Sequence, residues 1–327
     1  MAWFEGTVAS GSATITKAKY SLETLSKILT SSPETSVKHE MAKSGAGSKV
    51  QSWLWSSGLE ESLEFLRDNG FTAVLTRYLV AERRHEVVWK WMHRLRDLEC
   101  KRSTEESKGL PPAPIQSAGG LLLHLVKAES THGDGVRAAV GHFLHIAGRE
   151  RLEKMEAQQG SMMREHARLA SKFLGPTGRY LTHVLTENPR AAKLDVEFFE
   201  RFTKSTLMWS SESLYQAKLQ LHHPGKPSAE AALRYLKHIS TKVSFTPSAR
   251  KRKDIVHLFL DSASLLLQQD RYDDGALVME FIRRNYAADL GIAQAQAGEM
   301  ATQGPERIPL AFDELSNLQL LASLDSR

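Results

Sequence analysis

Between Phe71 and Val80 the apolar residues Phe71, Val74, Leu75, Tyr78 and Leu79 fall at i, i+3, i+4, i+7 and i+8. That spacing lines one face of an α-helix. A charged turn, Glu82–Glu86, follows, and a second stripe begins at once with Val87, Val88, Trp91, Leu95 and Leu98. So short a connection makes the two helices antiparallel neighbours. A single hairpin of this kind cannot bury both of its faces, so a chain built from such units has to stack them.

The same shape recurs. Leu267-Gln-Gln-Asp-Arg-Tyr-Asp-Asp-Gly-Ala-Leu is one instance, His145-Ile-Ala-Gly-Arg-Glu-Arg-Leu another, and Val126-Lys-Ala-Glu-Ser-Thr-His-Gly-Asp-Gly-Val a looser one. Further helices are predicted near Leu121–Ser130, Val136–Ala147, Arg164–Leu174, Thr177–Leu185, Val196–Met208, Ser211–Leu221, Ala229–Ile239, Asp254–Gln269 and Gly275–Tyr286. Gly175-Pro176 reads as a helix stop and Ser228 as an N-cap. No run alternates β-branched and aromatic residues around a hairpin turn. The fold class expected is all-α: an α-solenoid of stacked antiparallel hairpins, with an irregular helical bundle as the alternative.

Residues 1–52 are poor in apolar residues and rich in Ser, Thr, Ala and Lys, and are expected to be a largely disordered lead-in. Residues 53–290 form the helical-repeat body, with a loop at 101–118 where Pro111, Pro112 and Pro114 disfavour helix. Residues 291–327 read as a loosely structured tail. The N-terminal stretch is only weakly similar to a transit peptide: residues 6–50 lack arginine and include Glu23, Glu34 and Glu40. No apolar run approaches the ~20 residues of a membrane span. The single cysteine, Cys100, excludes a disulfide framework and a multi-cysteine metal site. An intracellular protein is expected, with cytoplasm and mitochondrion both open.

The segments Asp270-Arg-Tyr-Asp-Asp-Gly-Ala and Arg83-Arg-His-Glu-Val-Val-Trp resemble the turn and second helix of the tetratricopeptide-like superfamily, which includes pentatricopeptide-type proteins. The resemblance spans roughly residues 55–290. It implies a superhelical scaffold that binds another protein or RNA. No 34- or 35-residue period can be laid over the chain and the Trp-Leu-Gly-Tyr consensus is missing, so no base-reading residues carry over.

Catalytic patterns are not found. Ser44-Gly-Ala-Gly-Ser-Lys49 is similar to a phosphate loop, but Ser48 stands between Gly47 and Lys49, where the motif needs Gly-Lys-Ser/Thr. His39-Glu40 lacks the second histidine of a zinc-protease helix, and no Gly-x-Ser-x-Gly elbow is present. Among thirteen histidines, His142 and His145 sit one helical turn apart and could share a metal. With no cysteine or carboxylate at ligand spacing, they and His222-His223 read as structural or surface imidazoles. Cys100 beside Lys101 and Arg102 reads as an ordinary helix-end thiol. No enzyme activity, cofactor or metal is expected.

The net charge of +5 permits an anionic partner without requiring one. Two basic clusters are the candidate contact residues: Arg83, Arg84 and Arg94 with Trp89 and Trp91 nearby, and Arg250-Lys251-Arg252-Lys253 at a helix start. Cations beside aromatics suit nucleic acid. However, Glu82, Glu86, Asp97 and Glu99 interleave with the first cluster, as intrahelical pairing would. The second converges on an anion only if it stays in the loop before Asp254; inside a helix its members splay at about 100° per residue. The expected function is a non-catalytic scaffold for protein–protein interaction, with an organellar RNA-binding factor as the alternative.

This register puts Phe71, Leu75, Leu79, Trp91 and Leu95 in one hairpin core. Replacing Leu75 with Ala is expected to cost about 2–5 kcal/mol in urea unfolding; a cost below 1 kcal/mol would reject the register.

Overall fold

The computed structural model describes residues 1–29, 34–103, 117–156, 161–187, 194–210, 213–241 and 247–290; within these, the side chains of 34–36, 100–103, 151–156, 161–168 and 250 stand outside the description. Every described element is helical, and no strand occurs among them. No helix among them is long and apolar enough to cross a membrane. The chain forms two compact units, Met1–Ser211 and Glu212–Arg327.

The first unit opens with α1 (Ala2–Ala9), α2 (Ile15–Leu29), α3 (Glu34–Ser44), α4 (Ala46–Ser56) and the one-turn α5 (Leu59–Ser62), followed by a 3₁₀ turn at Glu64–Arg67. It continues with α6 (Asn69–Ala81), α7 (His85–Ser103), α8 (Ala118–His132), α9 (Val136–Glu156), α10 (Ser161–Glu187) and α11 (Val196–Trp209). Helix α6 is buried along nearly its whole length, with α2, α3 and α4 packed around it and α8 against it. Helix α8 in turn meets α7, α9 and α10. Phe71, Leu75, Leu79, Trp91 and Leu95 are all buried, as the hairpin register requires.

The expected lead-in at 1–52 is ordered where it is described. Phe4, Ala18, Leu22, Met41, Ala46 and Val50 are buried, and the Tyr78 hydroxyl donates to the Leu22 carbonyl at 3.1 Å. Lys19 pairs with Asp68 at 3.1 Å, which fastens α2 to the start of α6. Apolar residues are sparse here, yet α2, α3 and α4 pack against α6, whose buried surface needs covering, and Phe4 on α1 packs against Trp53. The boundary at 52 therefore falls inside α4. The 101–118 loop is narrower than expected, since α7 runs to Ser103 and α8 starts at Ala118; residues 104–116 and the expected tail at 291–327 lie outside the described residues.

Gly175-Pro176 does not stop its helix: α10 passes straight through Pro176. The proline removes the donor that would reach the Lys172 carbonyl four residues back. At that point α8 presents Gly119, where an added Cβ would lie 2.6 Å from the Phe173 carbonyl oxygen and 3.0 Å from that of Lys172. A backbone without a side chain thus lies against the carbonyl that proline leaves without its helical donor. Phe173, Leu174, Leu181 and Leu185 are buried on both sides of Pro176 and keep the two halves in one helix.

The second unit holds α12 (Ser213–Leu221), α13 (Glu230–Ser240), α14 (Ala249–Gln268) and α15 (Tyr272–Tyr286). Its core gathers Leu214, Leu236, Ile255, Phe259, Leu266, Val278 and Ile282. Lys218 on α12 reaches Asp254 on α14 at 2.8 Å, and Arg271 joins Glu230 to Asp274 at 2.6 Å each. Helix α13 starts one residue later than expected, although the Ser228 hydroxyl still accepts from the Glu230 amide at 3.3 Å.

The two turns that looked alike in sequence are alike in geometry. Arg83 and Asp270 both hold φ of 59°. After α6, Arg84 N donates to Leu79 O (2.7 Å) and Arg83 N to Val80 O (2.9 Å). After α14, Arg271 N donates to Leu266 O (2.9 Å) and Asp270 N to Leu267 O (3.2 Å). Both are Schellman closures with a non-glycine residue in the left-handed position. Arg83→Gly is expected to raise stability by about 0.5–1 kcal/mol, because glycine meets no Cβ penalty there. Thermal or urea unfolding checks this, and a loss of stability would mean that the Arg83 side chain carries more than its exposed contacts suggest.

Candidate functional site

The turn after α6 delivers His85 as the first residue of α7, with Trp89 and His93 following at one-turn intervals. Beside it, α8 ends in a turn through Gly133 and Gly135, and Glu129 lies in the last turn of that helix. Its side chain is only 2% exposed. One carboxylate oxygen accepts from the Asp134 amide at 2.8 Å, and the other meets His85 Nε2 at 2.7 Å. A Cβ on Gly133 would collide with this carboxylate, so the glycine makes its space. His142 on α9 brings Nε2 to 4.0 Å from the same oxygen. The His85 and His142 rings stack 5.2 Å apart. Trp89 lies 5.6 Å from His142, 6.0 Å from His145 and 6.2 Å from His93.

The electrostatics follow from this packing. The hydrogen bond to Glu129 holds the His85 imidazolium form and raises its pKa above the ordinary value, against the opposing effect of burial. Burial pushes the Glu129 carboxyl up, but the His85 bond and the Asp134 amide together outweigh it, and the net shift is downward. His142 is lowered, chiefly by desolvation. Asp134, outside this core, is held low by Lys38, which also bonds the Gly133 carbonyl. Two imidazole nitrogens and one carboxylate oxygen therefore converge from three helices, an arrangement able to bind a cation or to share a proton.

The residues expected to contact a partner are placed differently. Arg83 is 79% exposed and lies 3.7 Å from Asp134. Arg84 donates to the Ser48 hydroxyl at 3.0 Å. Arg94 donates to the Glu60 and Glu61 carbonyls at 3.0 and 2.7 Å, satisfying backbone acceptors of α5. These three point to separate tasks and form no common patch. In the second unit α14 begins at Ala249, so Arg250, Lys251, Arg252 and Lys253 lie on helix and splay around it. Arg252 sits 3.8 Å from Asp289, Lys253 is exposed and Lys251 is half-buried; the Arg250 side chain lies outside the description.

The segment similar to a phosphate loop does collect an anion, but an internal one. The Gly47 and Ser48 amides donate to the Glu82 carboxylate at 2.7 and 2.8 Å, and the Ser48 hydroxyl does so at 2.5 Å. The N-terminus of α4 is thus satisfied by a side chain from the end of α6. Separately, a cleft of about 380 Å³ is lined by Arg77, His124, Lys127, His132 and Tyr180, with no acidic residue in its wall. His124 bonds Asn69 at 2.7 Å, and burial, with Lys127 and Arg77 nearby, brings its pKa down to about 4.

The sequence offered little to assemble His85, Glu129 and His142. The available signal was a lone glutamate in the apolar run Leu121–Ser130, followed by two turn glycines. No family model, curated protein or solved structure matches the chain.

The shifts fix the pH dependence. His85 has a folded pKa above its unfolded value of about 6.5, so its contribution is complete below that pH and disappears as pH rises through the raised value. His124 acts oppositely: with a folded value of about 4, it costs stability as pH falls below the unfolded value. In urea unfolding between acid and alkaline pH, the advantage of wild type over His85→Gln should shrink as pH rises past neutrality. An advantage constant with pH would show that His85 carries no extra charge in the folded state.

Proposed function

We propose that this chain is a non-catalytic helical-repeat scaffold that binds another protein. The observation that carries this reading is a pair of aromatic rings held in solvent. Trp3 on α1 and Tyr20 on α2 stack edge to face at 6.3 Å while remaining 56% and 64% exposed. Phe4 beneath them is buried against Trp53, so α1 is anchored and presents Trp3 outward from a fixed base. Ile28, two turns along α2 from Tyr20, is also exposed. Rigid, solvent-facing Trp and Tyr are the residue types that dominate binding energy at protein interfaces.

The order of packing supports the repeat reading. Helices α6, α8 and α10 pack in sequence, each joined to the one before. Helix α9 meets α8 and α11, and α11 meets α10. The pairing of alternate helices, α6 with α8, α8 with α10 and α9 with α11, is the feature that favours a stack of hairpins. The RNA-binding alternative draws on the acid-free cleft around Arg77 and Lys127, where an aromatic ring lies beneath a lysine, Lys127 Nζ being 5.3 Å from Tyr180. It draws less on Arg84 and Arg94, which serve separate local contacts.

One experiment separates the two. Proteins captured from native extract by the full chain should survive nuclease treatment and moderate salt. A recombinant captured partner should bind Trp3→Ala/Tyr20→Ala at least tenfold more weakly, with the melting temperature nearly unchanged. Capture abolished by nuclease, with affinity falling steeply as salt rises, would replace the protein-binding reading with the RNA-binding one. Unchanged affinity of the double variant would remove the aromatic pair from the interface.

A further inference from the structure

We propose that His85, Glu129 and His142 form a binding site for one divalent metal ion of the zinc class. Their three donor atoms all lie within 4.8 Å of one another. Ligands about 2.0–2.1 Å from a tetrahedral ion are roughly 3.3 Å apart. The observed separations from Glu129 of 2.7 Å to His85 and 4.0 Å to His142 lie on either side of that spacing. Small side-chain rotations close the site without moving a helix.

The surroundings are those of a supported ligand set. The Glu129 oxygen not facing His85 is fixed by the Asp134 amide. Such a partner orients the ligand carboxylate. The carboxylate is nearly fully buried and needs a cation beside it, the part His85 plays when protonated and the ion would take over. His85 and His142 remain 21% and 27% exposed, which leaves an approach for the ion and a position for water as a fourth ligand. Two imidazoles exclude a calcium or magnesium site built from oxygen donors, and the absence of thiolate disfavours a soft monovalent ion. On coordination, His85 Nε2 and the Glu129 oxygen exchange their shared proton for the metal, and the proton leaves to solvent.

The ion would clip the start of α7, the end of α8 and the second turn of α9 together. The inference is independent of what the scaffold binds, since it concerns different helices and different residues from Trp3 and Tyr20.

The test is calorimetric titration of the full chain with zinc chloride, and its repetition with cobalt(II) while the visible spectrum is recorded. One equivalent should bind, with cobalt giving the intense bands of a four-coordinate site. His85→Ala and His142→Ala should each weaken binding at least tenfold while their circular dichroism stays that of the wild type. Because Glu129 also holds the Asp134 amide, the third ligand is tested with Glu129→Gln, which keeps an acceptor there. Its folding is checked by melting, and it too should bind at least tenfold more weakly. His145→Ala, one turn from His142 and exposed, should bind as wild type does. Absence of saturable zinc uptake would overturn the proposal. So would uptake insensitive to His85→Ala, which would indicate adventitious surface binding, or equal loss in His145→Ala, which would place the ion between His142 and His145 instead.

Discussion

A helix buried along most of its surface has little room for charge, and this condition organises the first unit. Helices α6 and α8 meet it with Leu, Val, Ala, Phe and small residues, and with threonine hydroxyls such as that of Thr72, which turns back to the Asp68 carbonyl at 3.0 Å. Apart from the groups that line the open cleft, Arg77, His124 and Lys127, the strong polar groups lie at the helix ends. There the backbone itself is short of partners, because the first amides and last carbonyls have none within the helix. Asp68 caps α6 and holds Lys19. Glu82, just past the end of α6, satisfies the start of α4. Ser117 caps α8, and Glu129 closes the turn that leaves it. The histidine cluster is therefore located where a buried helix must end, and its carboxylate is held by backbone before any imidazole reaches it.

The regular part of this arrangement was legible in the sequence. The spacing of Phe71, Val74, Leu75, Tyr78 and Leu79 marked α6 because a helical stripe is a local property, readable within ten residues. The turns at Arg83 and Asp270 were recognisable as a matched pair for the same reason. The N-terminal helices were misread because their few apolar residues, such as Ala18 and Leu22, become significant only against α6, some fifty residues away. Pro176 was read as a stop because a proline rule is local, whereas the continuity of α10 rests on packing to either side and on Gly119 in another helix. The site was the least legible part. His85, Glu129 and His142 are separated by tens of residues, and only the stacking of α7, α8 and α9 brings them together.

Charge misleads in a related way. The first arginine cluster looked like a surface stripe paired along its own helix. Arg84 does pair with Glu86 at 3.6 Å, but Arg84 and Arg94 also reach other elements, a serine hydroxyl in α4 and two carbonyls of α5, and behave as long-armed backbone and side-chain caps. A buried two-point pair, Arg96 to Glu150 at 3.0 and 2.8 Å, joins α7 to α9 in the same unit. A positive balance on the whole chain is compatible with cations spent one at a time on internal acceptors. The acid-free cleft beside Arg77 is one place in the first unit where positive groups gather around an open space.

The division into two units, each with a set of buried residues of its own, bears on how the chain loses its structure. All-or-none unfolding is a property of a single cooperative core. With Leu75 and Leu79 in one core and Phe259 and Ile282 in another, the molecule has two reservoirs of cooperativity, and one melting temperature describes it only if the units are energetically coupled. Without that coupling, each unit would open without destroying the other. A ligand held by α7, α8 and α9 would stabilise the first unit directly and reach the second only through that coupling, so the separation between two unfolding transitions would measure how far the chain acts as one body.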